Sequence, residues 1–495
     1  MNKPLRRIAI FCGLLVLALL IRDNYVQYVQ ADSLRTDSNN RRVAIERYAT
    51  PRGDIVVDGD PITGATKSTK NGINDFEYKR TYKDGPMWAP VTGYASQAFD
   101  ASQLEKLDDG ILTGNDDRLF FRNTLDMITG KKKQGGNVVT TLNAAAQKAA
   151  YQGLLSRGKG AVAAINPQTG AILALASTPS YDPSTFAGTS GSDEKAWNKL
   201  QKKNNPDEPM LNRALRETYP PGSTFKVVTA AAALENGLYK SADENTDSPL
   251  PYTLPNTSTE LKNEGNIPCK NATMRVALKV SCNTVFGKIG ADLGKDKMLA
   301  EAEKFGFNSE QLTPVRSNAS NFPKTMDKPQ TALSSIGQFE TAATPLQMAM
   351  VASAVANNGT LMKPYMVDKL QAPSLDVISQ TEPQKMSEPL SKSNAQILQS
   401  MMETVVNDPQ GTGNKAQISG VTVGGKTGTA QHGVANSEKP YAWFISYAKL
   451  PDGSSPVAVA VVVEDGSANR DDITGGGLAA PIARSVMKAV IDSKK

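Results

Sequence analysis

Histidine is nearly missing from this chain: there is one, His432, in 495 residues. A Ser-His-Asp relay needs an imidazole beside the nucleophile, so a serine enzyme built from this sequence has to find its base elsewhere. Cysteine is scarce too, with only Cys12, Cys269 and Cys282. One His and the two Cys beyond the N-terminal segment cannot assemble a zinc cluster, so no metal site is expected, and no motif asks for a cofactor. An excess of one charge is also lacking, since 55 Lys and Arg face 49 Asp and Glu for a formal net charge of +6. No compact basic patch interleaves with aromatics, and nucleic acid is not an expected partner.

Long apolar runs are absent with one exception. Ile8 to Ile21 is uninterrupted, preceded by Lys3, Arg6 and Arg7 and closed by Arg22-Asp23-Asn24. As a helix its fourteen residues span about 21 Å, short of the roughly 30 Å hydrocarbon core. Tyr25, Val26, Tyr28 and Val29 extend it to the interface. The segment reads as a signal anchor over 8–28, with residues 1–7 in the cytoplasm and the rest of the chain outside the membrane. A cleaved secretory signal is the alternative, because Val29-Gln30-Ala31 offers a small-residue cleavage site. Either way the bulk of the chain is exported. In that compartment Cys269 and Cys282 form an even pair, 13 positions apart, which a disulfide could close; two buried free thiols are the other reading.

From 32 to 136 the sequence is polar and reads as a small mixed pedestal domain. Arg52-Gly53-Asp54 matches an adhesion tripeptide, a coincidence common at three residues. A second, larger domain is expected over 155–492. It opens with a hairpin, apolar strands at 160–165 and 171–177 around Asn166-Pro167-Gln168-Thr169-Gly170. Helices are expected at 272–293, 296–305, 345–357 and 393–407. Strands follow at 421–431, 441–449 and 457–464, then a closing helix at 479–492. Strands at both ends with helices between them imply an α+β fold: one antiparallel sheet shared by the two ends, with helices on its faces and a separate all-helical part.

Ser-x-x-Lys occurs five times, at Ser156/Lys159, Ser192/Lys195, Ser223/Lys226, Ser446/Lys449 and Ser485/Lys488. Only the third has telling surroundings. Pro220-Pro221-Gly222 ends an extended segment, and an alanine-rich helix follows to Asn236, stopped by Gly237. Ser223 is thus expected at a helix N-terminus, where free N–H groups favour developing negative charge, with the Lys226 amine on the same face. Downstream lie Ser281-Cys282-Asn283 and the single Lys-Thr-Gly, Lys426-Thr427-Gly428, followed by Thr429. The ordered triple suits acyl transfer by a lysine-assisted serine. Ser223 would attack a carbonyl and neutral Lys226 would take its proton. Ser281 would relay a proton to the leaving amine, and Asn283 would bind the lysine and a substrate amide. Lys426, Thr427 and Thr429 would hold a substrate carboxylate, and Gly428 would let substrate approach the strand. Backbone N–H groups of Ser223 and Thr429 would form the oxyanion hole.

At these residues the chain resembles the class B penicillin-binding proteins, and within them the septal A-type members of actinobacteria. Pro-Pro-Gly-Ser-Thr-Phe-Lys at 220–226, Gly-Lys-Thr-Gly-Thr-Ala-Gln at 425–431, the hairpin, Gly337-Gln338 and the helix after Pro345 carry the likeness. It spans 155–490, and the anchor with its pedestal, here of dimerisation-domain type, extends it along the chain. Where the family has Arg-Gly-x-Ile and then Asp-Arg-Asn-Gly, this sequence has Arg52-Gly53-Asp54-Ile55 and then Val56-Val57-Asp58-Gly59-Asp60. The resemblance implies a penicillin-binding, β-lactamase-like transpeptidase fold and D,D-transpeptidation of peptidoglycan stem peptides through a Ser223 acyl-enzyme. It also implies acylation by β-lactams, a role in septation, and a membrane glycosyltransferase and division machinery as partners. A bifunctional protein would need a glycosyltransferase domain, for which 32–136 is too short. A non-enzymatic penicillin sensor, a D,D-carboxypeptidase or a β-lactamase could use the same motifs.

Overall fold

The computed structural model describes residues 3–35, 37, 40–68, 76–119, 129–130, 133–433, 436–465 and 469–494. Helix α1 (Lys3–Asn24) continues through a π-helical turn at Tyr25–Val29. The resulting 27-residue helix is about 40 Å long. It outruns the apolar stretch because Lys3 to Arg7 and Arg22 to Val29 carry the same helix onward. None of the α1 side chains is buried against the protein. It is long and apolar enough to cross a membrane.

Among the described residues the two larger sheets are built from β1 (Ile55–Val57), β2 (Asp60–Pro61), β3 (Asn137–Thr140), β4 (Lys159–Ile165), β5 (Ile172–Thr178), β6 (Val367–Gln371), β7 (Val377–Gln380), β8 (Thr422–Ala430), β9 (Tyr441–Lys449) and β10 (Val457–Asp465). The helices that bear on the site and its sheet are α2 (Ala144–Leu155), α3 (Lys226–Glu235), α4 (Met274–Lys279), α5 (Asn283–Leu293), α6 (Pro345–Ala356), α7 (Lys392–Asn407) and α8 (Ala480–Asp492).

The pedestal is not confined to 32–136. Its sheet runs β7-β6-β3-β1-β2, so two of its five strands come from the C-terminal half. Strand β3 is parallel to β1 (Ile55 opposite Val138) and antiparallel to β6 (Leu370 opposite Val138). Residues 69–75 and 120–128 of this region lie outside the described residues. Arg52 is buried: its guanidinium lies 2.6 Å from both Glu105 and Asp109, and Arg80 reaches the other Glu105 oxygen at 2.6 Å. An Arg52 committed to this network is not presented for adhesion. The fully buried Glu105 stays ionised because its two arginines outweigh desolvation, holding its carboxyl below the usual range.

The main sheet has the order β8-β9-β10-β4-β5 and is antiparallel throughout. Alternation along each strand divides its side chains. Val162, Ala164, Phe444, Val459 and Val461 pack toward α2 and α8, whereas Ala163, Ile165, Ile445, Ala460 and Val462 join the larger core containing α6 and the helical part. With both faces covered, β10 reads Val-Ala-Val-Ala-Val-Val-Val over 457–463 instead of alternating with polar residues. Strand β8 remains on the edge, with one side unpaired by any strand among the described residues.

One expected helix is broken. Residues 272–293 form two helices, α4 and α5, separated at Ser281, whose φ is +67°. No Gly or Pro marks this stop. The Cys282 N–H closes the break locally on Ala277 O at 2.8 Å, and two tertiary links hold it: Lys226 Nζ donates to the Ser281 carbonyl at 2.8 Å, and Cys282 is disulfide-bonded to Cys269. Both cysteines are fully buried. Closing this short loop is worth about 3 kcal/mol on chain-entropy grounds. A Cys269→Ser/Cys282→Ser protein should unfold at correspondingly lower urea, and non-reducing mass mapping should find the linked peptides in the wild type. Unlinked peptides and an unchanged urea midpoint would mean free thiols.

Candidate active site

Ser223 sits in a 3₁₀ turn, Gly222–Phe225, that feeds directly into α3. Several contacts fix the turn. The Trp443 indole N–H donates to the Pro220 carbonyl at 3.0 Å, and the Gly222 N–H donates to Gly337 O at 3.0 Å. Phe225 stacks on Phe322. Gly337 has φ +73°, and a Cβ there would lie 2.1 Å from Gly222 O, so the Ser223 turn rests on a position only glycine can occupy. The other four Ser-x-x-Lys serines lie elsewhere. Ser156 caps α2 through Gly153 O, Ser446 is buried against the Met487 sulfur, Ser485 bonds within α8, and Ser192 pairs with Ser190.

Lysines from two different elements converge on Ser281. Lys226 Nζ donates to Ser281 O at 2.8 Å and to Asn283 Oδ1 at 2.7 Å, and lies 3.3 Å from Ser281 Oγ. Lys426 Nζ, from β8, donates to the same Ser281 Oγ at 2.9 Å and to Thr427 O at 2.8 Å. Both side chains are fully buried. Burial, and then the charge of Lys426, hold the Lys226 amine well below the usual lysine range. Burial pushes Lys426 down to about 7, against a smaller upward pull from the Glu264 carboxylate. Two ammonium groups sharing one hydroxyl disfavour double charging, so the arrangement selects one neutral amine beside one cation.

Ser223 itself is half-buried and lines a cleft of about 640 Å³ with Asn283, Thr429, Gln338, Phe339 and Glu264 among its walls. The sequence-derived residues Ser223, Lys226, Ser281, Asn283, Lys426 and Thr429 therefore gather around one cavity and its floor. Three details differ from the sequence reading. Thr427 is buried, its hydroxyl 2.7 Å from Thr412 Oγ1, and so lies behind the cleft wall. The Asn283 amide N–H₂ group is already donating to Lys262 O at 3.1 Å. A Cβ on Gly428 would meet Thr224 Cγ2 at 3.0 Å and Pro221 O at 3.1 Å. The space that glycine leaves is filled by the Ser223 turn and Trp443, not kept open for substrate. Position 428 thus lets edge strand and turn touch, which brings Thr429 beside Ser223.

Sequence reasoning missed four residues here. Glu264 and Arg470 enter the cleft from polar loops that carry no pattern. Tyr219 and Glu464 lie behind it: the Tyr219 hydroxyl donates to Glu464, which also pairs with Arg213 at 3.1 Å. His432 stacks on Tyr441, with ring centroids 3.9 Å apart, and its Nε2 meets Lys439 O at 2.6 Å. Among the described residues no group of His, Cys, Asp and Glu could hold a metal ion.

Known proteins share this architecture. The penicillin binding protein transpeptidase domain model matches residues 160–488, and the penicillin binding protein A dimerisation domain model matches 52–138. The chain is 38% identical over 501 residues to the peptidoglycan D,D-transpeptidase PbpA of Mycolicibacterium smegmatis, covering 99% of each. It is also 38% identical over 504 residues to PbpA of Mycobacterium tuberculosis, covering 100% of each. Among solved structures, penicillin-binding protein A from M. tuberculosis as a ceftriaxone acyl-enzyme superposes with a TM-score of 0.84 at 38% identity, covering 90% of this chain and 100% of that one. Its penicillin G acyl-enzyme gives 0.81.

Proposed function

Because the chain belongs to the penicillin-binding protein transpeptidases, we propose that it is a serine-type peptidoglycan D,D-transpeptidase and a β-lactam target, with Ser223 as the acylated residue. The observation carrying this reading is the meeting of Lys226 and Lys426 on Ser281 Oγ beside the Ser223 cleft. The Ser223 hydroxyl attacks the penultimate D-alanine carbonyl of a stem peptide, and the neutral Lys226 amine takes its proton. The N–H groups of Ser223 and Thr429 receive the developing oxyanion. Ser281 delivers a proton to the departing D-alanine amine, with Lys226 and Lys426 behind it. The Lys426 charge acts on the donor's terminal carboxylate through Ser281 and Thr429, since its own ammonium is enclosed. The acyl group then passes from Ser223 to an amine on a second glycan strand.

The apolar helix anchors the chain in the membrane. Its short basic leader faces the cytoplasm and the cleft faces the cell wall, where a glycosyltransferase and the division machinery supply the strands. Pedestal and catalytic part take the ranges 32–136 and 155–492, with β3 from the segment between them and β6 and β7 from the latter completing the pedestal sheet.

A fluorescent penicillin should label the full chain with an adduct stable on the timescale of a gel; rapid release would favour β-lactamase. The Lys426→Ala protein should be acylated about 10²-fold more slowly, the cost of truncating one partner of a desolvated charge contact, with its circular dichroism unchanged. Wild-type acylation would remove Lys426 from the site.

A further inference from the structure

The cleft contains one carboxylate that this mechanism does not use. Glu264 stands on the wall formed by Leu261 and Asn283, and its side chain is exposed. It has no ion-pair partner among the described residues; the neighbouring Lys262 ammonium turns to Glu260 instead, at 3.7 Å. Its segment is nonetheless held in place. Asn263 Oδ1 accepts the N–H groups of Asn283 at 2.7 Å and Thr284 at 3.0 Å, and Lys262 O accepts from the Asn283 side chain. The Cys269–Cys282 disulfide ties the same segment to the residue after Ser281. The backbone that carries this unpaired carboxylate is therefore held on the cleft wall, and the carboxylate's charge is felt by both lysines. The other rim charge, Arg470, is occupied by Gln431 Oε1, Asn436 O and Glu438 O.

We infer that Glu264 is the specificity-determining residue for the acceptor: it draws a cationic amine to the acyl-enzyme and so favours aminolysis over hydrolysis. The inference rests on the transpeptidase reading above. The acceptor amine arrives as an ammonium ion and attacks only after losing one proton to solvent at the carboxylate. The neutral nitrogen then forms a C–N bond to the acyl carbon as the bond to Ser223 Oγ breaks. The nitrogen's second proton returns through Lys226 to that oxygen, regenerating the serine. Water carries no charge for Glu264 to recognise, and so gains nothing from it.

The test partitions a D-alanyl thioester donor between product classes in the full-length protein. The ratio of aminolysis to hydrolysis is measured with Nα-acetyl-lysine amide, cationic at neutral pH, and with hydroxylamine, which is largely neutral there. Glu264→Gln should lower the ratio about fivefold for the lysine derivative, leave it unchanged for hydroxylamine, and Glu264→Asp should restore part of it. Equal loss with both amines, an unchanged ratio, or a wild type that passes the donor to neither would overturn the inference. Penicillin labelling separates the two readings: an unlabelled wild type fails the transpeptidase assignment itself, whereas a labelled wild type with an unchanged ratio fails only the role of Glu264.

Discussion

In the Ser223→Ala protein, covalent labelling by penicillin is expected to disappear and donor turnover to fall by on the order of a millionfold, as when a serine enzyme loses its nucleophile. The fold should remain, because Ser223 is only half-buried and the turn around it is held by the Trp443 indole, Gly337 and Phe225. Mass spectrometry of the penicillin-treated protein is the direct measurement. An adduct persisting in the mutant would transfer the nucleophile to another residue. None of the other four Ser-x-x-Lys serines lines the cleft.

The second large effect concerns Lys226. Replacing it with methionine, which keeps most of its volume, should slow acylation by roughly 10³-fold, the contribution of a positioned general base. It should also change the pH profile. Burial and the Lys426 charge lower the Lys226 pKa, so the neutral, proton-accepting form predominates above that lowered value. The wild-type rate therefore falls as pH drops through it, and the mutant should lack that acidic limb. Lys426 acts in the opposite sense. Its cation is lost as pH rises through about 7, giving an alkaline limb in the free enzyme. A bound carboxylate stabilises the cation, so that limb should lie higher in kcat than in kcat/KM. Activity belongs to the window between the two limbs, where one amine is neutral and the other charged. An acidic limb retained in Lys226→Met would assign the base elsewhere.

The sheet and its helices were readable because β4, β5, β9 and β10 are long apolar strands bounded by turn residues, a pattern both local and redundant. The three motifs were readable because catalysis demands particular side chains in a particular order. What the sequence hid was set by contacts between distant segments. Residues 274–293 carry no Gly or Pro at the break, and the left-handed backbone at Ser281 is closed locally by the Cys282 N–H bond to Ala277 O and held from outside by the Lys226 bond and the disulfide. Gly428 looked like a substrate-side glycine because the sequence does not say which surface lies across from it. Glu264 was invisible because one carboxylate in a polar loop is ordinary until its neighbours in space are known.

The shared pedestal sheet has a consequence for the order in which this chain can acquire its structure. Strand β3 lies between β1, available early in synthesis, and β6, whose Val367 follows Thr140 by 227 positions. Until that late segment emerges, β3 presents an open hydrogen-bonding edge, the feature that invites pairing with the wrong chain. The N-terminal part therefore cannot mature as an autonomous unit ahead of the C-terminal part. Pairing across that separation is a long-range contact, the kind that slows folding.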